Sequence, residues 1–416
     1  MEMETELRPR KFKCHDKLRV LTDDYWQRAY RAREDGKYVA WCSGMIPSDI
    51  LSAMDFFTVF TMNNSATSAS RHVSLDLCEV AEAKGYSPDL CSYAKTDIGS
   101  ALMGEETKNP LRPPKPDILL VGNGQCHTIN KWLESLGHIF NVPVVLIDVP
   151  FLHDGFDDDT YERGRRYVVE QLQELITFLE GFCGRRLNYD RLQECVELSG
   201  NMFRTWKAVY ELCQNVPSPM SVFDIFTHLF PVLGFRATPE GVAYYEDLKA
   251  EVAERVAQGI SAIPDEKFRV HLDGVPTWFN LRGLYSRLAS YGACPITHVY
   301  PLIFNYEKLD SARPLESTTD CLLGAYANRG IKQRTDIVAE AVDDFHLDGL
   351  IMQMSRTCKA ITVPSYEIAQ GVERITGKPY VVYESDMCDP RLHSEAQLDT
   401  RLQAFMEVLE HRTARR

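Results

Sequence analysis

Short apolar runs alternate with segments of helical length in the first third of this 416-residue chain, and this alternation constrains the fold more than any other feature. The runs KYVAWCS, PDILLVG and VPVVLIDVPF are bounded by Gly, Pro and Asp, and helix-length stretches such as TINKWLESLGHIF separate them. Strands of a parallel sheet read as continuous apolar runs, because helices cover both of its faces. The pattern therefore predicts an α/β lobe with a Rossmann-like parallel sheet.

From about residue 155 to 260 the apolar residues recur at three- and four-residue steps, which is typical of amphipathic helices. Thr238 followed by Pro239 is a good helix start, because Thr caps the first turn and Pro fits its first position. The runs FRVHLDG, HVYPLIF, LDGLIMQMSRTC and KPYVVYESDM then return to the strand pattern. The expected fold is α/β, with two Rossmann-like parallel-sheet lobes facing each other and a helical domain between them in sequence.

The predicted domains are an N-terminal α/β lobe over residues 1–154, a helical domain over 155–264 and a C-terminal α/β lobe over 265–416. The order of strands and loops looks repeated between the two lobes, so that Cys126 falls opposite Cys358. Ligands of open α/β sheets bind outside the carboxyl ends of the strands. We therefore expect the facing lobes to bring these two cysteines together across a cleft.

Charge and hydropathy exclude several classes of function. The net charge of −13 argues against a nucleic-acid-binding role, which relies on concentrated Lys and Arg. The N-terminal segment has no apolar core of a signal peptide, and no run of 18 apolar residues could span a bilayer. We expect a cytoplasmic protein, whose twelve cysteines, without a CxxC pair, are mostly core thiols.

The stretch DILLVGNGQCHTI leaves two interpretations open. Gly122 and Gly124 follow a strand, and Asp148 closes the next strand, as in a dinucleotide-binding loop. His127, however, occupies the position of the third glycine, and Cys126 has no role in binding a pyrophosphate. An NAD-dependent dehydrogenase is one alternative, and a two-lobed ligand-binding protein without redox chemistry is another.

Cysteines in three loops are candidate metal ligands. Cys126 and Cys358 follow predicted strands in the polar loops NGQCHT and SRTCKA, where a core residue gains little. Cys91 begins a predicted helix, whose N-terminus lowers a thiol pKa and favours the thiolate. Three thiolates from separate loops would hold a 4Fe-4S cluster and leave one iron open for chemistry. From the residues alone, ligation and simple packing both remain possible for each thiol.

Several motifs in order resemble the 2-hydroxyacyl-CoA dehydratase and benzoyl-CoA reductase family over nearly the whole chain. They are LCSYAKTDIG, PDILLVGNGQC, FRVHLDGVPTW, LDGLIMQMSRTC and GKPYVVYESDMCDPR. The middle segment, with NVPSPM and GVAYYEDLKAEVAERV, resembles the B-type subunit of ATP-dependent benzoyl-CoA reductase. The resemblance implies that Cys91, Cys126 and Cys358 ligate a 4Fe-4S cluster or a larger iron-sulfur cluster.

The resemblance also implies an activity and its partners. The chain would be the iron-sulfur subunit of an ATP-dependent aromatic acyl-CoA (benzoyl-CoA) reductase, which delivers low-potential electrons to the thioester-activated ring and yields a cyclic diene. The expected partners are a homologous second subunit, an ATP-hydrolysing iron-sulfur activator and the acyl-CoA substrate. The alternative on the same scaffold is a radical 2-hydroxyacyl-CoA dehydratase subunit.

Further residues have weaker claims to function. Cys42 follows a predicted strand and is a candidate for an additional ligand, whereas Cys183, Cys195 and Cys213 in the helical region are expected to be core thiols. His127 is a candidate proton donor to the reduced substrate, since imidazole titrates near neutral pH. The stretch GVERITGKPY is a poor phosphate loop, because its glycines are misspaced and Pro stands where Ser or Thr would hold magnesium.

Overall fold

The computed structural model describes residues 10–104, 112–304 and 306–414. The first nine residues, on which the expectation about a signal peptide rests, lie outside these ranges. No helix within them combines the length and the apolarity that a bilayer span requires.

Two four-stranded parallel sheets form the centres of the two lobes. The first has the order β2-β1-β3-β4 and the second the order β6-β5-β7-β8, so the topology is repeated and β3 is equivalent to β7. This confirms the predicted α/β fold with two parallel-sheet lobes. The strands are β1 Val39–Cys42, β2 Phe57–Phe60, β3 Ile118–Gly122, β4 Val144–Ile147, β5 Phe268–Asp273, β6 Ala293–His298, β7 Gly349–Ser355 and β8 Tyr380–Ser385.

Helices cover the sheets and form the segment between them. In the N-terminal third they are α1 Cys14–Arg31, α2 Ser48–Ala53, α3 Thr61–Ser70, α4 Ser74–Ala83, α5 Ser92–Met103 and α6 Thr128–Phe140. The middle segment contains α7 Asp158–Cys183, α8 Tyr189–Glu211, α9 Val222–Thr227, α10 Phe230–Gly234 and α11 Pro239–Ala257. The last third contains α12 Leu281–Ser290, α13 Val299–Leu302, α14 Pro314–Leu323, α15 Ile331–Asp344, α16 Lys359–Thr362, α17 Ser365–Thr376 and α18 Glu395–Thr413.

Side-chain caps mark where the long middle helices begin. Asp157 accepts a hydrogen bond from the backbone of Thr160 at 2.8 Å at the start of α7, and Asn188 caps α8 in the same way. Thr238 accepts from the Gly241 N–H at 3.1 Å, which confirms the predicted start of α11. Each cap satisfies a backbone donor that the first helical turn leaves unpaired.

The prediction of a strand over HVYPLIF is wrong. Strand β6 ends at His298, and Val299–Leu302 forms the short helix α13. The Nδ1 atom of His298 accepts a hydrogen bond from the Tyr300 N–H at 2.9 Å and so caps the helical turn. The apolar run that follows is therefore buried as helix and not as strand.

The N-terminal helix packs against the middle helices, although it precedes the first lobe in sequence. The Glu251 carboxylate on α11 accepts the backbone N–H groups of Lys13 and Cys14 at 2.6 and 2.9 Å. The buried Arg236–Asp49 ion pair joins the middle segment to α2 of the first lobe. The domain boundaries at residues 154 and 264 stay predictions.

The segment after β8 docks onto the first lobe and fixes how the two lobes meet. The Ser74 hydroxyl donates to the Cys388 carbonyl at 2.6 Å, and Arg391 pairs with Glu82 on α4 at 2.6 Å. The buried Lys95 ammonium on α5 lies 3.3 Å from the Asp389 carboxylate. These contacts hold α4 and α5 against the carboxyl end of the second sheet.

Candidate cysteine site between the lobes

The three predicted ligand cysteines all lie at helix N-termini. Cys126 follows β3 just before α6, Cys358 follows β7 and precedes α16, and Cys91 is the residue before α5. Backbone N–H groups of the first turns point at the thiols, from Ala94 to Cys91 and from Ile361 to Cys358. Such donors favour a negatively charged sulfur.

The structure brings these cysteines together from two lobes. The charges of Cys358 and Cys126 both act on Cys91, and the charge of Cys126 acts on Cys358, so the three sulfurs lie close enough to interact electrostatically. Each cysteine residue is half-buried and packs against the edge of the hydrophobic core, and the place where the three thiols meet is called the cysteine recess below. The expectation that facing lobes unite Cys126 and Cys358 is confirmed, and Cys91 joins them.

The expected lowering of the Cys91 pKa is wrong. Burial raises the pKa of all three thiols, and it raises that of Cys358 to about 12. For Cys91 and Cys358 the charge of a neighbouring thiol is the second cause of the rise. The helix N-termini act in the opposite direction but do not outweigh the loss of water. The recess therefore holds neutral thiols unless a cation compensates their charge.

A buried carboxylate, missed by the sequence analysis, joins two of the cysteine loops. Asp386, just beyond β8, is fully buried and accepts hydrogen bonds from the Ser92 hydroxyl and from the N–H and hydroxyl of Thr357 at 3.1 and 2.6 Å. The Ser92 N–H in turn donates to the Thr357 hydroxyl at 3.0 Å. The residues next to Cys91 and Cys358 are thus fixed to one another.

The remaining candidates lie in different surroundings. Cys42 is fully buried at the end of β1, where its thiol lies 3.7 Å from the Ala40 carbonyl oxygen. His127 is exposed beside Cys126 and is the residue that precedes α6. Cys195 and Cys213 are buried core thiols as predicted, whereas Cys183 is only half-buried at the end of α7.

The residues in and near the loop after β3 that suggested a dinucleotide site have structural roles. A Cβ on Gly122 would lie 2.0 Å from the Met45 carbonyl oxygen, so the glycine permits close packing of the chain. The Asp148 carboxylate accepts hydrogen bonds from Asn123 and, at 3.0 Å, from the Tyr167 hydroxyl. The acid that would bind a ribose is therefore already engaged.

Within the described ranges, no group of three or more His, Cys, Asp or Glu side chains is placed to hold a single metal ion. The three cysteines could instead ligate a cluster of several metal atoms, because each thiolate would then bind a different metal atom of the cluster. Their soft sulfur donors suit iron-sulfur clusters better than hard cations.

Two adjoining cavities share walls at Lys308, Asp320, Gly324 and Arg329, and one of them lies beside the second sheet. The inner chamber, of about 430 Å³, lies between α8, α15 and the ends of β5 and β6, and His271, His298 and Tyr326 are among its lining residues. The outer chamber, of about 460 Å³, lies between the start of α7 and Arg313. Neither cavity was predicted from the sequence. The histidines within β5 and at the end of β6 could have indicated the inner one, because a histidine is unusual in a buried apolar strand.

Fold and site together define a two-lobed α/β protein with three cysteines gathered between its lobes. The family model described as 2-hydroxyglutaryl-CoA dehydratase, D-component, matches residues 43–409, and the chain belongs to this family.

Several characterised relatives match along almost their whole length. The alpha subunit of (R)-2-hydroxyisocaproyl-CoA dehydratase from Clostridioides difficile is 30% identical, and the match covers 94% of this chain and 95% of the relative. The (R)-phenyllactyl-CoA dehydratase alpha subunit of Clostridium sporogenes is 30% identical, with 94% of each chain covered. A benzoyl-CoA reductase subunit from Thauera aromatica is 28% identical over 93% of this chain and 92% of its own.

Proposed function

We propose that this chain is the iron-sulfur subunit of an enzyme that delivers low-potential electrons to a CoA thioester, and that Cys91, Cys126 and Cys358 hold its 4Fe-4S cluster or a larger cluster. The observation that carries the proposal is the convergence of three half-buried thiols, from two lobes, each at a helix N-terminus. The particular reaction proposed is reduction of an aromatic acyl-CoA, of the benzoyl-CoA type, to a cyclic diene.

The chemistry of the three thiols fits a cluster. Burial keeps the pKa values of all three thiols high, and the neighbouring thiols raise those of Cys91 and Cys358 further, so deprotonation requires a strong local positive charge, which bound metal supplies. When bound, an iron-sulfur cluster supplies electrons at potentials that reach about −700 mV, tuned by burial and by hydrogen bonds to sulfur. The helix N–H groups at Cys91, Cys126 and Cys358 are in position to make such hydrogen bonds.

The chain's own residues would hold the site in place and handle protons. Asp386, Ser92 and Thr357 keep the Cys91 and Cys358 loops in register. His127 is the proposed proton donor, because it is exposed beside Cys126 and histidine is the side chain most often used for general acid–base catalysis. Cys42 remains the candidate for an additional ligand.

The second candidate function is radical dehydration of a 2-hydroxyacyl-CoA. The match to a dehydratase family model and the 30% identity to two dehydratase alpha subunits favour it. Both candidates use the same cysteine site and the same class of substrate, and they differ in whether the electron stays in the product or is returned after loss of hydroxide.

A homologous second subunit and an ATP-hydrolysing iron-sulfur activator complete the proposed system. The three relatives described above are themselves named as subunits, which supports a partner chain. The stretch GVERITGKPY ends helix α17 at Gly377, whose φ of +69° closes the helix, so Lys378 does not lie at a helix N-terminus. Phosphate loops need that position, and the proposal assigns ATP hydrolysis to the activator.

The test replaces Cys91, Cys126 and Cys358 singly by Ala in protein purified anaerobically with its partner subunit. Each replacement is expected to lower the iron content and bleach the cluster absorption. Cys195→Ala, on the buried face of α8, is the matched control and should keep the iron content of the wild type. Full iron in all three recess variants would contradict the assignment.

A second measurement separates the two reactions. With activator, ATP and a low-potential donor, the wild type is incubated with benzoyl-CoA or with a 2-hydroxyacyl-CoA. Formation of the cyclic diene with continuous consumption of the donor is expected. Loss of water from the hydroxyacyl-CoA without net donor consumption would instead establish the dehydratase.

A further inference from the structure

The helical turn after β6 carries Tyr300 towards the place where the cysteine loops meet. Tyr300 is buried on α13, and its hydroxyl lies 3.3 Å from that of Tyr93, two residues after Cys91. Burial raises the pKa of the Tyr300 hydroxyl, and the charges of Cys388 and Cys358 raise it further. Tyr300 is therefore in contact with the Cys91 loop and within electrostatic reach of Cys358.

The third cysteine loop is connected to Tyr300 through Phe304. The two rings pack edge to face, with their centres 5.6 Å apart. A Cβ on Gly44 would lie 2.7 Å from the Phe304 ring and 3.2 Å from the amide nitrogen of Gln125, the residue before Cys126. Phe304 and the Cys126 loop thus meet at one glycine. Because its neighbours belong to or contact all three loops, Tyr300 borders the cysteine recess.

The hydrogen bonds around the Tyr93 hydroxyl leave one donor hydrogen unused. The Trp278 indole N–H, which can only donate, is bonded to the Tyr93 oxygen. The hydroxyls of Tyr93 and Tyr300 add two more hydrogens, but they share a single contact. Three donor hydrogens thus serve two hydrogen bonds among the described residues, and one phenol hydrogen has no acceptor there. A buried donor without an acceptor is unfavourable, which indicates a further bonding partner.

The direction of these bonds assigns the unused hydrogen to Tyr300. An oxygen that accepts a hydrogen bond becomes a stronger donor, so the bond from Trp278 favours Tyr93 as the donor to Tyr300. Burial raises the pKa of both hydroxyls. The bond between them raises the pKa of Tyr93 and lowers that of Tyr300, as expected for a donor and its acceptor. The hydrogen of the Tyr300 hydroxyl is then available to another group.

The neighbouring sulfurs do not use this hydrogen. Within the described ranges the hydroxyl of Tyr300 bonds to Tyr93 and to neither Cys358 nor Cys388, and the Cys388 thiol donates to the Ser65 carbonyl at 3.4 Å. Because burial raises its pKa, the Tyr300 hydroxyl is neutral and keeps its hydrogen at physiological pH. It therefore suits an acceptor atom of a group held between the three thiols.

We propose that the Tyr300 hydroxyl donates a hydrogen bond to the cluster held by the three cysteines, and that Tyr93 and Trp278 orient this donor. Hydrogen bonds to sulfur are one means by which a protein sets the potential of an iron-sulfur cluster. The Tyr300 donor stabilises added negative charge and so raises the potential, without transferring a proton. The inference rests on the proposed function and adds residues of this chain that set the driving force for electron transfer.

The experiment uses the iron-loaded complex with its partner subunit, purified anaerobically, without activator, ATP or substrate. Redox titration followed by electron paramagnetic resonance gives the midpoint potential, and resonance Raman spectra in H₂O and D₂O give the Fe–S stretching frequencies. Tyr300→Phe removes the proposed donor and keeps the ring, and Tyr93→Phe removes the hydroxyl that orients it. Tyr285→Phe on α12 is the matched control, because this buried tyrosine donates to the Ala262 carbonyl at 3.2 Å.

Tyr300→Phe is expected to keep the iron content of the wild type and to lower the equilibrium constant for reduction about tenfold, which is a midpoint about 59 mV lower for a one-electron couple. Tyr93→Phe should lower this constant by about two- to threefold, because Tyr300 keeps its hydrogen but loses its polarising partner. D₂O should shift the Fe–S frequencies of the wild type, and part of this shift should be missing in Tyr300→Phe. Tyr285→Phe should match the wild type.

A wild-type potential and a wild-type deuterium shift in Tyr300→Phe would overturn the proposal. A larger effect of Tyr93→Phe than of Tyr300→Phe would overturn the direction of the hydrogen bonds. If Tyr300→Phe fails to fold, Tyr93→Phe and Trp278→Phe decide, since each weakens the same donor, and wild-type potentials in both would overturn the proposal. The cysteine assignment is tested separately by the iron content of the cysteine variants, so failures of the two proposals are distinguishable.

Discussion

Replacing Asp386 by Asn is expected to loosen two cysteine loops and leave the third unchanged. Asp386 accepts five hydrogen bonds, from the Ser92 hydroxyl, from the N–H and hydroxyl of Thr357, and from the N–H groups of Cys388 and Asp389. One carboxylate oxygen receives both bonds of Thr357, and the other receives the remaining three. An amide has only one oxygen and cannot serve both sets.

The free-energy cost of this replacement depends on which backbone N–H groups lose their acceptor. With the amide oxygen towards Cys388, the Thr357 hydroxyl can turn to accept, but the Thr357 N–H is left unpaired and buried. With the amide flipped, the N–H groups of Cys388 and Asp389 are unpaired instead. One such group costs about 1–3 kcal/mol, which corresponds to local opening that is roughly 5- to 150-fold more frequent.

Alkylation of the metal-free, reduced protein by iodoacetamide, with mass spectrometry to follow each cysteine, reports this opening together with the loss of the Asp386 charge. That charge raises the pKa of Cys91 and Cys358, so both changes speed the reaction at these two thiols. Cys91 and Cys358 should react roughly fivefold faster or more in Asp386→Asn. Cys126, which has no bond to Asp386, is the internal control and should react as before. Asp336→Asn, which removes an exposed carboxylate on α15, is the matched control variant. Unchanged rates at Cys91 and Cys358, or an equal rise at Cys126, would refute the reasoning.

Two further predictions concern α5. Gly99→Ala should lower the urea midpoint strongly, because the added Cβ would lie 1.9 Å from the Leu77 carbonyl oxygen. The control is Gly181→Ala on α7, whose Cβ would have nothing within 4 Å and which should leave the free energy of unfolding unchanged or raise it by about 1 kcal/mol. Similar urea midpoints for the two variants would contradict this. Burial raises the pKa of Asp97 to about 8, so the folded state holds a proton that the unfolded chain releases near pH 4. The free energy of unfolding therefore falls as the pH rises from 4 to 8, by up to about 1.4 kcal/mol per pH unit. Asp97→Asn should remove this part of the slope between pH 6 and pH 8, and an unchanged slope of the urea midpoint would count against the assignment.

The sequence predicted the elements that depend on local pattern. Apolar runs bounded by turn residues identified most strands, and the caps at Thr238 and the repeat of strand order were readable without coordinates. The loops of Cys126 and Cys358 were also visible, because a cysteine in a polar loop gains little from packing and parallel strands present their carboxyl ends at one edge of the sheet. Cys91 was visible as the start of a predicted helix.

Other features needed the tertiary structure. The helical turn over Val299–Leu302 depends on a cap from His298, which has the appearance of an ordinary strand residue. The rise of the Cys91 pKa depends on how much water the second lobe excludes, a quantity that no local pattern contains.

At the cysteine recess, some features were predictable from the sequence and others depend on the tertiary structure. The sequence predicted Cys91 at the start of a helix and Cys126 and Cys358 in polar loops after strands, and the structure places all three at helix starts. Only the tertiary structure placed Ser92 against Asp386, 294 residues away along the chain, and formed the inner chamber beside β5 and β6. Hydrogen bonds between distant residues leave no periodic signal in a single sequence, because either partner alone is compatible with many surroundings.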